Sequence, residues 1–299
     1  MQDYLLKATA FEQQVRVYAT ITTDMVNEAV LRHQAYPTAS AALGRTMTVS
    51  TMMGAMMSGD DKLTVKVEGN GPLGPVIVDS TAEGNTRGYV HNPRVHFELN
   101  RFGKLDVARA VGHSGHIAVA KDLGMKETFT SHSPIVSGEL GEDFTYYFTT
   151  SEQVPSSVGL GVLVDTDHSV LAAGGFIVQV LPGTEEAVID HVEKHIEAAP
   201  PISKLIERGY NPERIVETVT GGDYQFLEKM PVQFKCSCSK ERIGRAMVGL
   251  GSEEIQSMIT EDHGAETECH FCHAQYPFNV EDLMQLKQEA LSQENHEGR

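Results

Sequence analysis

The chain has 299 residues, 40% of them hydrophobic and 22% charged, with a formal net charge of −17. This is the composition of a globular protein large enough for two modules, and it excludes a disordered chain. The negative balance argues against nucleic acid or an anionic membrane as the main partner, since both demand clustered Lys and Arg.

No signal peptide is expected, because Met1-Gln2-Asp3-Tyr4 carries an early acid and no apolar stretch follows. No apolar run reaches bilayer length. The expectation is a cytoplasmic protein whose thiols stay reduced.

Helix and strand signals alternate at first. Thr23 or Asp24 can cap a helix carrying Met25, Val26, Ala29 and Val30. Pro37-Thr38 opens a second, running through Ala39, Ala42, Met47, Met52, Met53, Met56 and Met57 to Gly59. Small residues and methionines pack flexibly, so this is a core helix, with adaptable contact to varied surfaces as the alternative. Strands are predicted at 63–67, 76–78 and 87–90. Gly69-Asn70-Gly71-Pro72-Leu73-Gly74 matches G-x-G-x-x-G. That fingerprint needs a helix N-terminus facing a pyrophosphate, yet Pro75 and a further β-rich run follow. A hairpin connection is the better reading.

After a polar region, residues 137–147 predict a helix with Leu140, Phe144 and Tyr147 on one side. Apolar runs at 158–164 and 170–181 flank the turn signal Asp165-Thr166-Asp167-His168 and predict an antiparallel pair at the centre of a sheet. The first module ends near residue 182. Thr184 then caps a helix to His195, Pro201 starts a second that stops at Gly209, and Asn211-Pro212 starts a third. Each carries little apolar surface, so the segment leans on its neighbours and has low intrinsic stability. From Pro231 a cysteine-bearing module follows, with helices after Ser239, Ser252 and Asn279.

The pattern there is Cys236-Ser-Cys238, thirty intervening residues, then Cys269-His-Phe-Cys272. Two local thiol pairs match a closed tetrahedral zinc site, and the chain has no other cysteine to build a disulfide framework. Lys235, Lys240, Arg242 and Arg245, with a helix starting just after Cys238, favour thiolates. His270 and His273 adjoin the second pair, and His113 and His116 have metal-compatible spacing. With four thiols available, these histidines are the weaker ligands.

Four thiolates leave no open position for a catalytic water. A nucleic-acid zinc ribbon is disfavoured, since residues 231–299 hold six Lys or Arg against twelve Asp or Glu. A thioredoxin-like enzyme would need its Cys-x-x-Cys at a helix start, whereas Tyr276 and Pro277 indicate a turn. A static staple, an adaptor bound to one partner, and a redox switch remain open. The switch is physically coherent, because a module of about sixty residues depends heavily on its metal. Once the ion is gone, loop closure favours pairing between near neighbours.

With these residues in view, the chain resembles the redox-regulated 33 kDa heat-shock protein family, the 33 kDa chaperonins. The resemblance is carried by the two cysteine pairs and their separation. Ser151-Glu152-Gln153-Val154-Pro155-Ser156, Gly159-Leu160-Gly161-Val162-Leu163-Val164, and Gly174-Gly175-Phe176 before Pro182-Gly183 reinforce it. It runs the whole chain. It implies an α+β protein: an N-terminal sheet-and-helix domain over 1–182, a helical linker over 183–230 and a small C-terminal zinc-binding domain over 231–299. It further implies one Zn2+ per chain on Cys236, Cys238, Cys269 and Cys272 in a reduced, inactive form, and no catalytic residues. By the same resemblance, oxidation forms Cys236–Cys238 and Cys269–Cys272 disulfides, releases zinc and unfolds the C-terminal region. The exposed surface then binds unfolding client proteins without ATP, and the oxidised protein is a homodimer.

Overall fold

The chain opens with an antiparallel pair, β1 (Tyr4–Ala10) and β2 (Val15–Ile21), that the sequence signals left ambiguous. The computed structural model describes residues 2–125 and 127–297, and they fall into two compact units, Met1–Lys235 and Cys236–Arg299. Both helices and sheets build the first unit, so the fold is α+β. Among the described residues no helix is long and apolar enough to cross a membrane.

In the first unit, α1 (Thr23–His33) and α2 (Pro37–Gly54) follow the opening hairpin. Then come β3 (Lys62–Gly69), β4 (Val76–Thr81), β5 (Asn85–Val90), α3 (Val107–Val111), β6 (Gly115–Asp122) and β7 (Phe129–Pro134). After α4 (Leu140–Thr150) come β8 (Ser156–Val164) and β9 (Val170–Val180). Three helices, α5 (Glu186–Ala198), α6 (Ile202–Glu207) and α7 (Pro212–Thr220), lead to β10 (Gln225–Pro231) and β11 (Gln233–Phe234).

The strands form two sheets, in the orders β10-β1-β2-β9-β8 and β11-β5-β4-β3-β6-β7. The expected antiparallel pair is β8 with β9, but β8 is an edge strand, so the pair is not central. Helix α2 packs against β8 and β9 of one sheet and β3, β4 and β5 of the other. All its residues except Pro37 and Arg45 are buried, which explains the small side chains and the lack of a polar stripe. Its buried threonines return their hydroxyls to the helix: Thr46, Thr48 and Thr51 donate to carbonyls four residues back at 2.9, 2.7 and 2.8 Å. The helix stops at Gly54, short of the expected Gly59, because Met56 and Met57 turn back onto the carbonyls of Met53 and Gly54 in tighter turns.

The glycine-rich segment is the connection between antiparallel β3 and β4. A Cβ on Gly69 would lie 2.0 Å from the Val111 carbonyl oxygen, and one on Gly71 2.2 Å from that of Ala110. Its N–H groups are already spent: Gly71 donates to Val111 at 2.8 Å and Leu73 to Ala110 at 3.1 Å. The glycines admit the backbone of α3, not a phosphate.

The first sheet is apolar on both faces. Leu5 and Ile177 turn toward α2, while Leu6, Ala8, Val15, Val17 and Val178 turn the other way. That second face takes Ile215, Val216 and Val219 of α7 and Ile202 and Leu205 of α6 as buried residues, whereas α5 contributes one buried residue, Val192, with Val188 and Ile196 half-buried beside it. Helix α7 is therefore the best anchored of the three and α5 the least. Tyr4 also hydrogen-bonds Glu213 on α7, and Lys229 of β10 lies 3.5 Å from the same carboxylate.

In the second unit, α8 (Lys240–Val248) and α9 (Ser252–Ser257) precede a wide π-helical turn, Met258–Asp262. The hairpin β12 (Ala265–Glu268) and β13 (Gln275–Phe278) and a long α10 (Val280–Glu297) complete it. Its buried apolar cluster is Met247, Val248, Ile255, Phe278, Leu283 and Ala290, with Cys269 and Cys272 also buried. That is a thin core.

Asp3, 3% exposed, caps α1 from outside the helix: its carboxylate accepts from Met25 N at 2.7 Å, while the N-cap residue Thr22 supplies no side-chain bond. Its second oxygen has no partner, and burial pushes the carboxyl up to about 7 despite the backbone donors. Between roughly pH 4 and 7 the folded chain holds a proton that the unfolded chain has released, so this group makes stability fall as pH rises. Asp3→Asn keeps an acceptor without the charge. Urea unfolding should show the stability of the variant relative to wild type climbing across that window; a pH-independent difference would refute the assignment.

Candidate metal centre

The four cysteines come from two places in the second unit. Cys236 and Cys238 lie just before α8, whose N-cap Ser239 accepts from Arg242 N at 3.2 Å. Cys269 and Cys272 lie in the turn between β12 and β13. There Cys269 N donates to Ala274 at 3.0 Å, and Cys272 N and His273 N donate to the Cys269 carbonyl at 3.3 and 2.8 Å. His273 adopts a left-handed conformation, φ 58°, which folds the turn back so that both sulfurs point one way.

All four sulfurs lie within 4.8 Å of one another. The contact between Cys236 and Cys269 is 3.7 Å and that between Cys238 and Cys272 is 3.3 Å. A tetrahedral ion with bonds of ~2.3 Å needs sulfurs about 3.8 Å apart, so the residues fit such an ion with little adjustment. The donor set is soft and has no carboxylate, which selects zinc, copper(I) or iron–sulfur chemistry over calcium or magnesium.

The thiols differ in acidity. Burial opposes ionisation of Cys238, but hydrogen bonds from Tyr276 and then from the other three thiols outweigh it and bring the group down to about 7. Tyr276 donates its hydroxyl to Cys238 Sγ at 3.1 Å. Burial pushes Cys269 and Cys272 the other way. Cys238 is thus ready to become a thiolate near neutral pH, while burial favours the protonated thiol at Cys269 and Cys272 until a cation replaces the proton.

A family profile described as Hsp33 protein matches residues 3–279. The chain belongs to the Hsp33 family. It is 61% identical to the 33 kDa chaperonin of Halalkalibacterium halodurans over 97% of this chain and 100% of the relative. It is 58% identical to that of Bacillus subtilis, over 95% and 98%. The crystal structure of the 33 kDa chaperonin (heat shock protein 33 homologue) from Thermotoga maritima superposes with a TM-score of 0.90 at 36% identity, over 98% of this chain and 100% of that one. Hsp33 is a family of chaperones, not of enzymes, and the names of the relatives support a chaperone role here.

Within this Hsp33 chain the four expected cysteines are brought together, and the histidines weighed as weaker ligands are not part of the cluster. His273 pairs with Glu268 at the edge of the hairpin. His113 Nδ1 lies 2.7 Å from the Ser137 carbonyl oxygen, and His116 faces Glu68 on the neighbouring strand at 3.7 Å. Lys240 turns to Asp282 at 2.7 Å and so does not serve the sulfurs. The contact that sequence reasoning missed is Tyr276. It stands four residues past Cys272, and only the register of β12 on β13, Thr267 opposite Tyr276, turns it back over Cys238.

Helix packing in this unit sets how the sulfurs are presented to a metal. Gly244 lets α8 pack against α10, since a Cβ there would meet Leu286 at 3.2 Å. Gly244→Val should cost about 1–3 kcal/mol through overpacking. Because binding free energy is folding free energy in such a unit, metal affinity should fall on the order of 5- to 150-fold with all four cysteines intact. Chelator competition measures it; an unchanged affinity would show a site that forms without the rest of the unit.

Proposed function

We propose that this chain is an oxidation-activated, ATP-independent holdase, held inactive in its reduced form by one Zn2+ on the thiolates of Cys236, Cys238, Cys269 and Cys272. The observation that carries the reading is the convergence of two distant thiol pairs inside a unit with a thin apolar core. Bound zinc supplies a closed tetrahedral tie worth on the order of 10–16 kcal/mol in modules of this kind. The protein's part is to present the sulfurs. The segment before α8 brings two and the β12–β13 turn brings two, so the tie joins elements thirty residues apart.

Oxidation removes the donors. Each pair gives up two electrons and forms an S–S bond; a peroxide accepts them, its O–O bond breaks, and two waters leave per pair. Disulfides Cys236–Cys238 and Cys269–Cys272 close the shortest loops and leave the two halves of the unit untied. The region 231–299 then loses its fold. Surface exposed there, and on the linker over 183–230, binds unfolding client proteins, and the oxidised chain pairs as a homodimer. Four thiols kept reduced for this purpose belong in the cytoplasm.

The test measures zinc release and suppression of client aggregation before and after peroxide at raised temperature. The expected result is release of one zinc per chain, together with protection that needs no ATP. Peptide mapping should find the two local disulfides. A zinc-free oxidised protein that protects no client would overturn the holdase reading. Disulfides joining Cys236 to Cys269 and Cys238 to Cys272 would overturn the untying step, because they would staple the unit shut.

A further inference from the structure

A second pair of metal-ligating side chains lies in the first unit, on α5. His191 and His195 stand one turn apart, the i, i+4 spacing that puts two imidazoles on one helical face. Their rings stack with centroids 4.2 Å apart and planes at 31°. His195 Nδ1 lies 2.8 Å from the carbonyl oxygen of His191. A carbonyl only accepts, so Nδ1 carries a hydrogen, and in the neutral ring Nε2 is then the nitrogen left for a metal.

Both Nε2 atoms lie beside the same point of backbone. A Cβ built on Gly221 would sit 2.7 Å from Nε2 of His195 and 2.8 Å from Nε2 of His191. Gly221 closes α7 in the left-handed region, φ 71°, so the end of α7 reaches the pair without a side chain to cover it. The edge-to-face contact of Phe11 with His191, centroids 5.3 Å apart, holds that ring in place. His191 is exposed and His195 half-buried, so water reaches both. The helix bears Glu186, Asp190, Glu193 and Glu197 against Lys194 alone, a balance that favours a cation.

We propose that His191 and His195 bind a divalent transition ion of the zinc, nickel or copper class through their Nε2 atoms. Imidazole suits these metals. No third His, Cys or acidic side chain among the described residues joins the pair, so water completes the shell and the site is weaker than the thiol cluster. The ion clamps one turn of α5, the helix that buries only Val192 and is the least anchored of its segment. Binding therefore slows local opening of α5.

Equilibrium dialysis of the reduced full chain against buffered Zn2+ tests this, with wild type compared to H191Q/H195Q and to His195→Gln alone. Wild type should take up one zinc more than either variant. Hydrogen exchange of α5 amides should slow about tenfold when free zinc is roughly ten times the dissociation constant, in wild type only. Equal zinc uptake by wild type and variants would overturn the proposal, as would α5 exchange that zinc leaves unchanged. All three chains carry the same four cysteines, so the difference between them is independent of whether the thiol cluster holds zinc.

Discussion

Everything distinctive in the second unit depends on whether four sulfurs share a cation. Brought together without one, they are a cost: Cys269 and Cys272 are buried where ionisation is opposed, and Cys238 is drawn toward the thiolate by Tyr276. With a divalent ion, the same sulfurs become the strongest tie in a unit whose buried apolar cluster is only six aliphatic, methionine and aromatic side chains. The remaining bonds are peripheral by comparison. Glu294 on α10 accepts from Ser252 at 2.8 and 2.9 Å, and Lys240 pairs with Asp282, which also closes the Asn279 cap of α10. Solvent screens exposed polar contacts of this kind, so each contributes far less than a zinc tie would.

The first unit is built to a different standard. Helix α2 is sealed between two sheets, and its threonine hydroxyls are satisfied within the helix or by neighbours such as Thr86, 2.8 Å from Thr51, while the buried Ser50 hydroxyl has no partner among the described residues. Against this rigid body the helices α5 to α7 form a graded layer. Helix α7 is seated by three fully buried aliphatic residues and the Tyr4–Glu213 bond; α5 rests on Val192 and on the half-buried Val188 and Ile196. Local opening free energies follow such differences in burial, so the layer should loosen from α5 inward.

How much of this could be read in the chain varies with the physics. The cysteine cluster was legible because each pair is local in sequence, and the turn between β12 and β13 brings Cys269 and Cys272 together. Helix starts at Pro37, Pro212 and Ser239 were legible because caps act within one turn. Strands β1, β2 and β10 were not. In β1, Leu5 beside Leu6 breaks the alternation that marks a half-buried strand; β2 alternates Val15, Val17, Ala19 and Ile21 with Arg16, Tyr18 and Thr20 but is buried on both faces; and β10 is mostly exposed and is held by its pairing with β1. Leu5 and Leu6 side by side, each fully buried, give no clue to which core each serves. The role of Tyr276 depends on hairpin register and that of Asp3 on a helix twenty residues away, and neither is written in local sequence.

Hydrogen exchange on the reduced chain, with and without a zinc chelator and with no oxidant present, tests the central claim most directly. If the tie rather than the apolar core keeps the second unit folded, chelation alone will strip protection from the amides of α8, α9 and α10 while those of β1, β2 and β9 keep theirs. Amides of α8 to α10 that remain protected in the metal-free reduced protein would contradict the account.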